Sequence, residues 1–241
     1  MVISRSGEIL ATQVTPAHTL DAADMLRQWA VTPDSGLTRA DYAERAARYG
    51  SNRLTARQGK TPFALFLSQC KNPLVLILLA AALIAAGMGD WVDASVIAGV
   101  VFINAVIGFV QEINALKAIR ALSHAVPFHA MVLRDGVRQQ VDAHELVPGD
   151  IVFLQPGDKV PADLRLIQVK GLQIDESSLT GESVPSEKST LAVAQGTPLA
   201  DRTNIAYAST LVTQGTATGV AFSTGDTTEI GQINRLIGCS R

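Results

Sequence analysis

The feature that most constrains this chain is a long stretch, residues 72–116, without a single lysine or arginine. It holds two apolar runs, 73–89 and 91–112, each close to the roughly 20 residues that a helix needs to cross a hydrocarbon core. A turn-like Gly-Met-Gly-Asp link at 87–90 separates them. The pattern predicts a transmembrane helical hairpin within residues 63–118. Two buried helices of a soluble bundle are the alternative, but such runs without a basic residue are rare in soluble cores.

The distribution of basic residues predicts the orientation of this hairpin. Six lysines and arginines lie between residues 45 and 71, and Lys117 and Arg120 follow the second run. The connecting turn carries only Asp90 and Asp93. Because basic residues are enriched on the cytoplasmic side, we expect a multi-pass plasma-membrane protein with both termini in the cytoplasm. The lipid bilayer is then its first partner.

Composition excludes several other classes of protein. The chain is 47% apolar and 17% charged, unlike a disordered chain. The net charge of -2 gives no basic field that would favour nucleic acid. The two cysteines lie far apart and form no CxxC pair, so neither a disulfide scaffold nor a cysteine-based zinc site is expected. We predict no metal site and no cofactor site within these residues.

Residues 1–62 predict a small cytoplasmic helical segment, which we interpret as a structural collar before the first membrane helix. Apolar residues recur at helical spacing over 22–29. Thr38 can cap a second helix, with Asp41 close to the capping-box pattern. Gly50 is a natural stop for that helix.

Residues 119–237 predict a compact, mainly β domain, and 238–241 look like a truncated end. Asp135-Gly136 is a hairpin signal between alternating residues. Four stretches favour strands: 151–154, 164–169, 205–212 and 218–222. Thr227 or Thr228 can cap a final helix that ends at Ile237. The predicted fold class is therefore an α+β membrane protein, with a helical collar, a transmembrane hairpin and a β domain.

The segment 179–185 is the candidate for chemistry. Gly181 permits a tight backbone path, and Glu182 stands between the hydroxyls of Thr180 and Ser183. An exposed carboxylate on a rigid loop can orient a water molecule and accept its proton. Taken alone, the segment fits a solvated turn with a capping serine or threonine better than it fits a catalytic loop. It is also a near miss for the hydrolase elbow, whose final glycine it lacks.

Several strings in this sequence resemble P-type cation-transporting ATPases. The most specific is Asp175 to Ser183, which reads DESSLTGES. Supporting strings are PADLRL from Pro161, VPSEK from Val184, GDTTEIG from Gly225 and NPL from Asn72. The segment from Leu37 to Leu54 resembles the N-terminal collar of the type II branch of these pumps. The resemblance spans about residues 18–237.

The resemblance implies a mechanism in two steps. ATP, with Mg²⁺, phosphorylates an aspartate of the complete pump, and the aspartyl-phosphate is then hydrolysed. Glu182 occupies the position of the actuator glutamate that orients the attacking water. Thr180, Gly181 and Ser183 shape the loop that enters the phosphorylation site. Rotation of the actuator domain would couple hydrolysis to the movement of a transported cation.

The sequence departs from the family in one large respect. The Asp-Lys-Thr-Gly-Thr phosphorylation motif and the nucleotide-binding motifs do not occur in these 241 residues. The chain by itself is therefore not expected to bind or cleave ATP. It looks like an N-terminal fragment, either of a truncated gene or of a split pump whose remainder, as a separate chain, would be its partner. A catalytically inactive, membrane-anchored interaction or regulatory module is the alternative. An unrelated two-helix membrane protein with a β sensor domain is a third reading.

Overall fold

The computed structural model of the chain describes residues 16–55, 73–124 and 128–239. Residues 16–55 and 128–239 form one compact unit, and residues 73–124 belong to a second. The fold is α+β, as the sequence predicts. The predicted boundary at residues 62 and 63 lies outside the described residues. The N-terminal segment and the β domain therefore share a single unit, although residues 73–124 separate them in sequence.

Residues 16–55 of the N-terminal segment contain two helices, α1 (Ala22–Gln28) and α2 (Arg39–Tyr49), after a 3₁₀ turn at Ala17–Thr19. The Oγ1 atom of Thr38 accepts a hydrogen bond from the backbone N–H of Asp41, at 3.2 Å. Gly50 ends α2 with a φ of 75°. The predicted cap and stop of this helix are both confirmed, because each depends only on nearby residues.

The hairpin unit consists of α3 (Pro73–Gly87) and α4 (Trp91–His124). Within α4, residues 91–118 are long and apolar enough to cross a membrane, judged by length and composition. Helix α3 has 15 residues and is about 22 Å long at 1.5 Å per residue. It ends before the predicted residue 89, because Gly89 takes a φ of 87°. Helix α4 continues beyond the predicted residue 112, since the following residues are mostly good helix formers.

The β domain is built on one antiparallel sheet with the strand order β2-β1-β3-β7-β4-β5, and β6 pairs with β4. The strands are β1 (His129–Arg134), β2 (Val137–Asp142), β3 (Ile151–Leu154), β4 (Asp163–Asp175), β5 (Ser186–Glu187), β6 (Ile205–Ala206) and β7 (Leu211–Ser223). Its helices are the single turn α5 (Ser177–Thr180) and the longer α6 (Glu229–Cys239). The two long strands β4 and β7 pair along most of their length and form the centre of the sheet.

Local turn signals predicted two of these connections. Asp135 and Gly136 join β1 to β2 with φ angles of 50° and 75°, as a type I′ hairpin turn requires. The Oγ1 atom of Thr228 accepts from the N–H of Gly231 at 3.1 Å, which confirms the cap of the last helix. The predicted strand 205–212 was wrong in part, because the chain turns at Ser209, which has a φ of 72°.

Each face of the sheet carries a buried apolar cluster. Along β3, Val152 and Leu154 belong to one apolar cluster, whereas Ile151 belongs to the other. The second cluster includes Met25 and Leu37 of the N-terminal segment. The N-terminal helices therefore cover one face of the sheet, which explains why short strands such as 151–154 read as continuous apolar runs.

Asn52 joins the end of the N-terminal segment to three loops of the β domain. Its Nδ2 atom donates to the carbonyl oxygens of Ala143 and Pro161, both at 2.8 Å. Its Oδ1 atom accepts from the N–H of Gly225 at 2.7 Å. These bonds satisfy a buried side-chain amide and fix the chain at the point where it leaves the unit.

Candidate functional site

The candidate loop lies between β4 and β5 at one edge of the sheet. Ile174 of β4 pairs with Ser186 of β5, and Gln173 pairs with Glu187. The chain therefore leaves the sheet and re-enters it at the same place, and the intervening residues form a closed loop. A loop held at both ends by strand pairing has a defined position on a rigid scaffold.

The first half of the loop is the single helical turn α5, which forms around one carbonyl oxygen. The carbonyl of Glu176 accepts from the N–H of Leu179 at 2.8 Å, and from the N–H and the Oγ1 of Thr180 at 2.9 and 3.1 Å. Gly181 ends the turn with φ 79° and ψ 0°, a left-handed conformation that favours glycine. The structure thus gives Gly181 a tight path, within a helical turn that the sequence reading missed.

The second half of the loop is exposed. The N–H of Glu182 donates to the Oγ1 of Thr180 at 3.2 Å, which fixes its main chain. The side chains of Glu182, Ser183 and Val184 are exposed. Within the part of the chain that the structure describes, the Glu182 carboxylate forms no hydrogen bond or ion pair. It is therefore a solvated carboxylate on a fixed backbone, which can accept a proton from a water molecule brought to it.

The sequence strings agree with two known protein families. Residues 124–238 match the family model of the P-type ATPase actuator domain. Residues 17–85 match that of the cation transporter/ATPase N-terminus. Together these ranges cover more than half of the chain. The chain carries the N-terminal and actuator domains of cation-transporting P-type ATPases.

Similar curated proteins support this assignment. The "Probable cation-transporting ATPase F" of Mycobacterium tuberculosis is 45% identical over 235 residues, which are 98% of this chain and 26% of that protein. The "Cation-transporting ATPase pma1" of Synechocystis is 47% identical over 218 residues, or 90% and 24%. The "Calcium-transporting ATPase 1" of Bacillus cereus is 44% identical over 207 residues, or 84% and 23%. The chain therefore spans about a quarter of the length of these relatives.

A buried ion pair lies at the base of the actuator loop, residues 176–185 between β4 and β5. The Nζ of Lys188 is 2.6 Å from the Oε1 of Glu176, and the side chains are 0% and 3% exposed. Burial raises the pKa of Glu176 and lowers the pKa of Lys188, whereas their mutual attraction opposes both shifts. The ring centre of Tyr207 lies 5.7 Å from the same Nζ. Sequence reasoning included both charged residues in the family strings but assigned them no role.

Asp163, from the PADLRL string, is at the other end of β4 and does not join the loop. Its Oδ1 accepts from the N–H of Ala208 and its Oδ2 from the N–H of Glu229, both at 2.8 Å. Burial raises the pKa of Asp163 to about 7. The carboxylate therefore connects β4 to the turn before β7 and to the start of α6, which is a structural function.

Metal-binding residues do not cluster in the described ranges. In residues 16–55, 73–124 and 128–239, no group of three or more histidine, cysteine, aspartate or glutamate side chains is placed to hold a metal ion.

Proposed function

We propose that this chain is the N-terminal portion of an ATP-driven cation transporter of the type II branch. In this proposal its actuator domain promotes dephosphorylation of an aspartyl-phosphate and couples that step to ion translocation. The observation that carries the proposal is the exposed carboxylate of Glu182, on a loop whose main chain is fixed by Thr180 and by strand pairing. Relatives of the chain support the proposal, because they are named as cation-transporting and calcium-transporting ATPases.

The proposed reaction assigns each loop residue a task. Glu182 accepts a proton from a water molecule whose oxygen attacks the phosphorus, and the aspartate carboxylate leaves with the electrons of the broken bond. Gly181 gives the loop a tight tip without a side chain. Thr180 holds the main chain of Glu182, and Ser183 adds a second hydroxyl beside the carboxylate. ATP and Mg²⁺ are cofactors of the complete pump, and these residues do not include the motifs that bind them.

The proposal extends to the cell membrane. Helices α3 and α4 would be the first two membrane helices of a multi-pass plasma-membrane protein with both termini in the cytoplasm. The remainder of the pump would supply the phosphorylated aspartate. The transported cation is then the substrate of the assembled pump.

A chimera tests this function. The matching N-terminal quarter of the Bacillus cereus relative is replaced by this chain, and the chimera is labelled with radioactive ATP. In the Glu182→Gln variant the phosphoenzyme should still form, but its decay should slow by roughly the 10²–10⁴-fold that a general base contributes. Glu187→Gln is the matched control, because Glu187 is an exposed glutamate on β5. Equal decay in wild type and Glu182→Gln would remove Glu182 from the mechanism, and a chimera without phosphoenzyme would favour an inactive module.

A further inference from the structure

We propose that Glu176 and Lys188 are positioning residues for the actuator loop. Their ion pair anchors the first residue of the loop in the core, and the main chain of Glu176 then sets the position of Thr180 and Glu182. That the pair serves catalysis rests on the proposed function of Glu182. That the pair holds the loop in place does not depend on that function.

The pair lies on the core face of the sheet. Leu172, Ile174 and Glu176 alternate along the chain and are all buried, so they share one face. The N–H of Lys188 donates to the carbonyl of Leu172 at 2.9 Å, which places Lys188 beside that residue. Leu172 and Ile174 both belong to the apolar cluster of the β domain. The two charges are therefore enclosed next to the apolar core.

Stability alone does not explain a charged pair at this place. Buried ion pairs are often no more stabilising than apolar residues of similar volume, because both charges lose their hydration. Within the described residues, neither the Lys188 ammonium nor the Glu176 carboxylate has an additional hydrogen-bond partner. The pair does restrict where the Glu176 side chain can point, since its carboxylate must meet the ammonium group of Lys188, which directly follows β5. This requirement sets the orientation of residue 176.

The orientation of Glu176 passes to Glu182 through two hydrogen bonds. Glu176 has φ -107° and ψ 14°, which is a sparsely populated conformation. Its carbonyl oxygen accepts from the Oγ1 of Thr180, and the same Oγ1 accepts from the N–H of Glu182. A single hydroxyl therefore joins the anchored residue to the proposed catalytic residue. Movement of Glu176 would displace Thr180 and release the main chain of Glu182.

If the ion pair served only general stability, its loss would lower the urea midpoint. A double variant distinguishes this role from positioning of the loop. In Glu176→Met/Lys188→Met both charges are lost together, so no unpaired charge stays buried. We expect the urea midpoint of the full chain in detergent to be unchanged or higher. We also expect cleavage of the 182–183 bond by a glutamate-specific protease to accelerate at least about tenfold, the equivalent of 1.4 kcal/mol of local opening. Mass spectrometry of the fragments identifies this bond.

Two controls make the proteolysis result specific. Lys170→Met removes an exposed lysine of β4 and should leave cleavage at residue 182 unchanged. Lys188→Arg keeps the charge and should keep the loop protected. If the double variant is cleaved at the wild-type rate, the positioning inference is overturned. A fall in the urea midpoint that matches the gain in cleavage would also overturn it, in favour of general stabilisation.

The chimera distinguishes failure of this inference from failure of the proposed function. If Glu182→Gln slows phosphoenzyme decay and the double variant does not, Glu182 is catalytic and the ion pair does not position it. If both slow decay, and Lys188→Arg decays at the wild-type rate, the inference is supported. If Glu182→Gln has no effect, the proposed function fails, and the proteolysis experiment still decides whether the pair holds the loop.

Discussion

The Nη2 atom of Arg165 lies 2.8 Å from the carbonyl oxygen of Leu20, a residue 145 positions earlier in the chain. Arg165 is fully buried, and its guanidinium also donates to the carbonyl oxygens of Thr190 and Asn204. No carboxylate in the described residues forms an ion pair with it. Burial lowers the pKa of Arg165 to about 10, so the group stays charged at neutral pH. Main-chain carbonyl dipoles therefore stabilise this charge, and it connects the N-terminal segment to the β domain.

Replacement of Arg165 should weaken this connection. Arg165→Met removes the donor to the half-buried carbonyl groups of Leu20 and Thr190, and we expect a loss of at least about 3 kcal/mol in the free energy of unfolding. The measurement is urea unfolding of the full chain in detergent, followed by the fluorescence of Trp29 in a Trp91→Phe background. Arg27→Met removes an exposed arginine and should stay within about 0.5 kcal/mol of wild type. Similar midpoints for the two variants would contradict this prediction.

Asp163 should give the actuator domain a pH-dependent stability. Because its pKa is raised from 3.8 to about 7 in the folded state, the folded protein binds the proton more tightly than the unfolded chain. The contribution of Asp163 to the free energy of unfolding is then highest below pH 4, falls as the pH rises to 7, and is level above pH 7. Relative to Asp163→Asn, the wild type should lose up to about 4 kcal/mol over this range. Parallel pH curves for the two proteins would show that Asp163 does not titrate in this way.

Two glycines with similar φ angles should differ in their tolerance of alanine. Gly181 has a φ of 79° and open space around its Cβ position, whereas a Cβ on Gly215 would lie 2.1 Å from the carbonyl oxygen of Gly171. Gly181→Ala should cost only the roughly 1–2 kcal/mol of a left-handed backbone. Gly215→Ala must also separate β4 from β7, and we expect a loss above about 4 kcal/mol. Urea unfolding of both variants checks this, and equal losses would contradict it.

Local signals explain which parts of the fold were predictable from sequence. Thr38 with Asp41, and Asp135 with Gly136, act within four residues, and the structure confirms both. The apolar run of α4 is also a local signal, and it predicted the start of the helix at Trp91. Its end was not predictable from hydropathy, because helix α4 continues through polar residues.

Contacts between distant residues account for what the sequence did not predict. The Arg165–Leu20 bond joins residues 145 positions apart, and the Glu176–Lys188 pair depends on the register of β4 with β5. Strand β7 was predicted only in part, because Gly215 reads as a turn signal. In the structure Gly215 faces a β-bulge at Gly171, where a side chain would collide with the backbone.

The orientation of the hairpin is open to a direct test by cysteine labelling. Cys70 and Cys239 are first replaced by serine, and single cysteines are then introduced as Asp90→Cys and Gln195→Cys, both at exposed positions. A membrane-impermeant maleimide added to intact cells should label residue 90 but not residue 195, because basic residues flank the hairpin on the other side. After permeabilisation both cysteines should react, which confirms that residue 195 is accessible in principle. Labelling of residue 195 alone in intact cells would place the actuator domain outside the cell, away from ATP, and would contradict both the topology and the proposed role of Glu182.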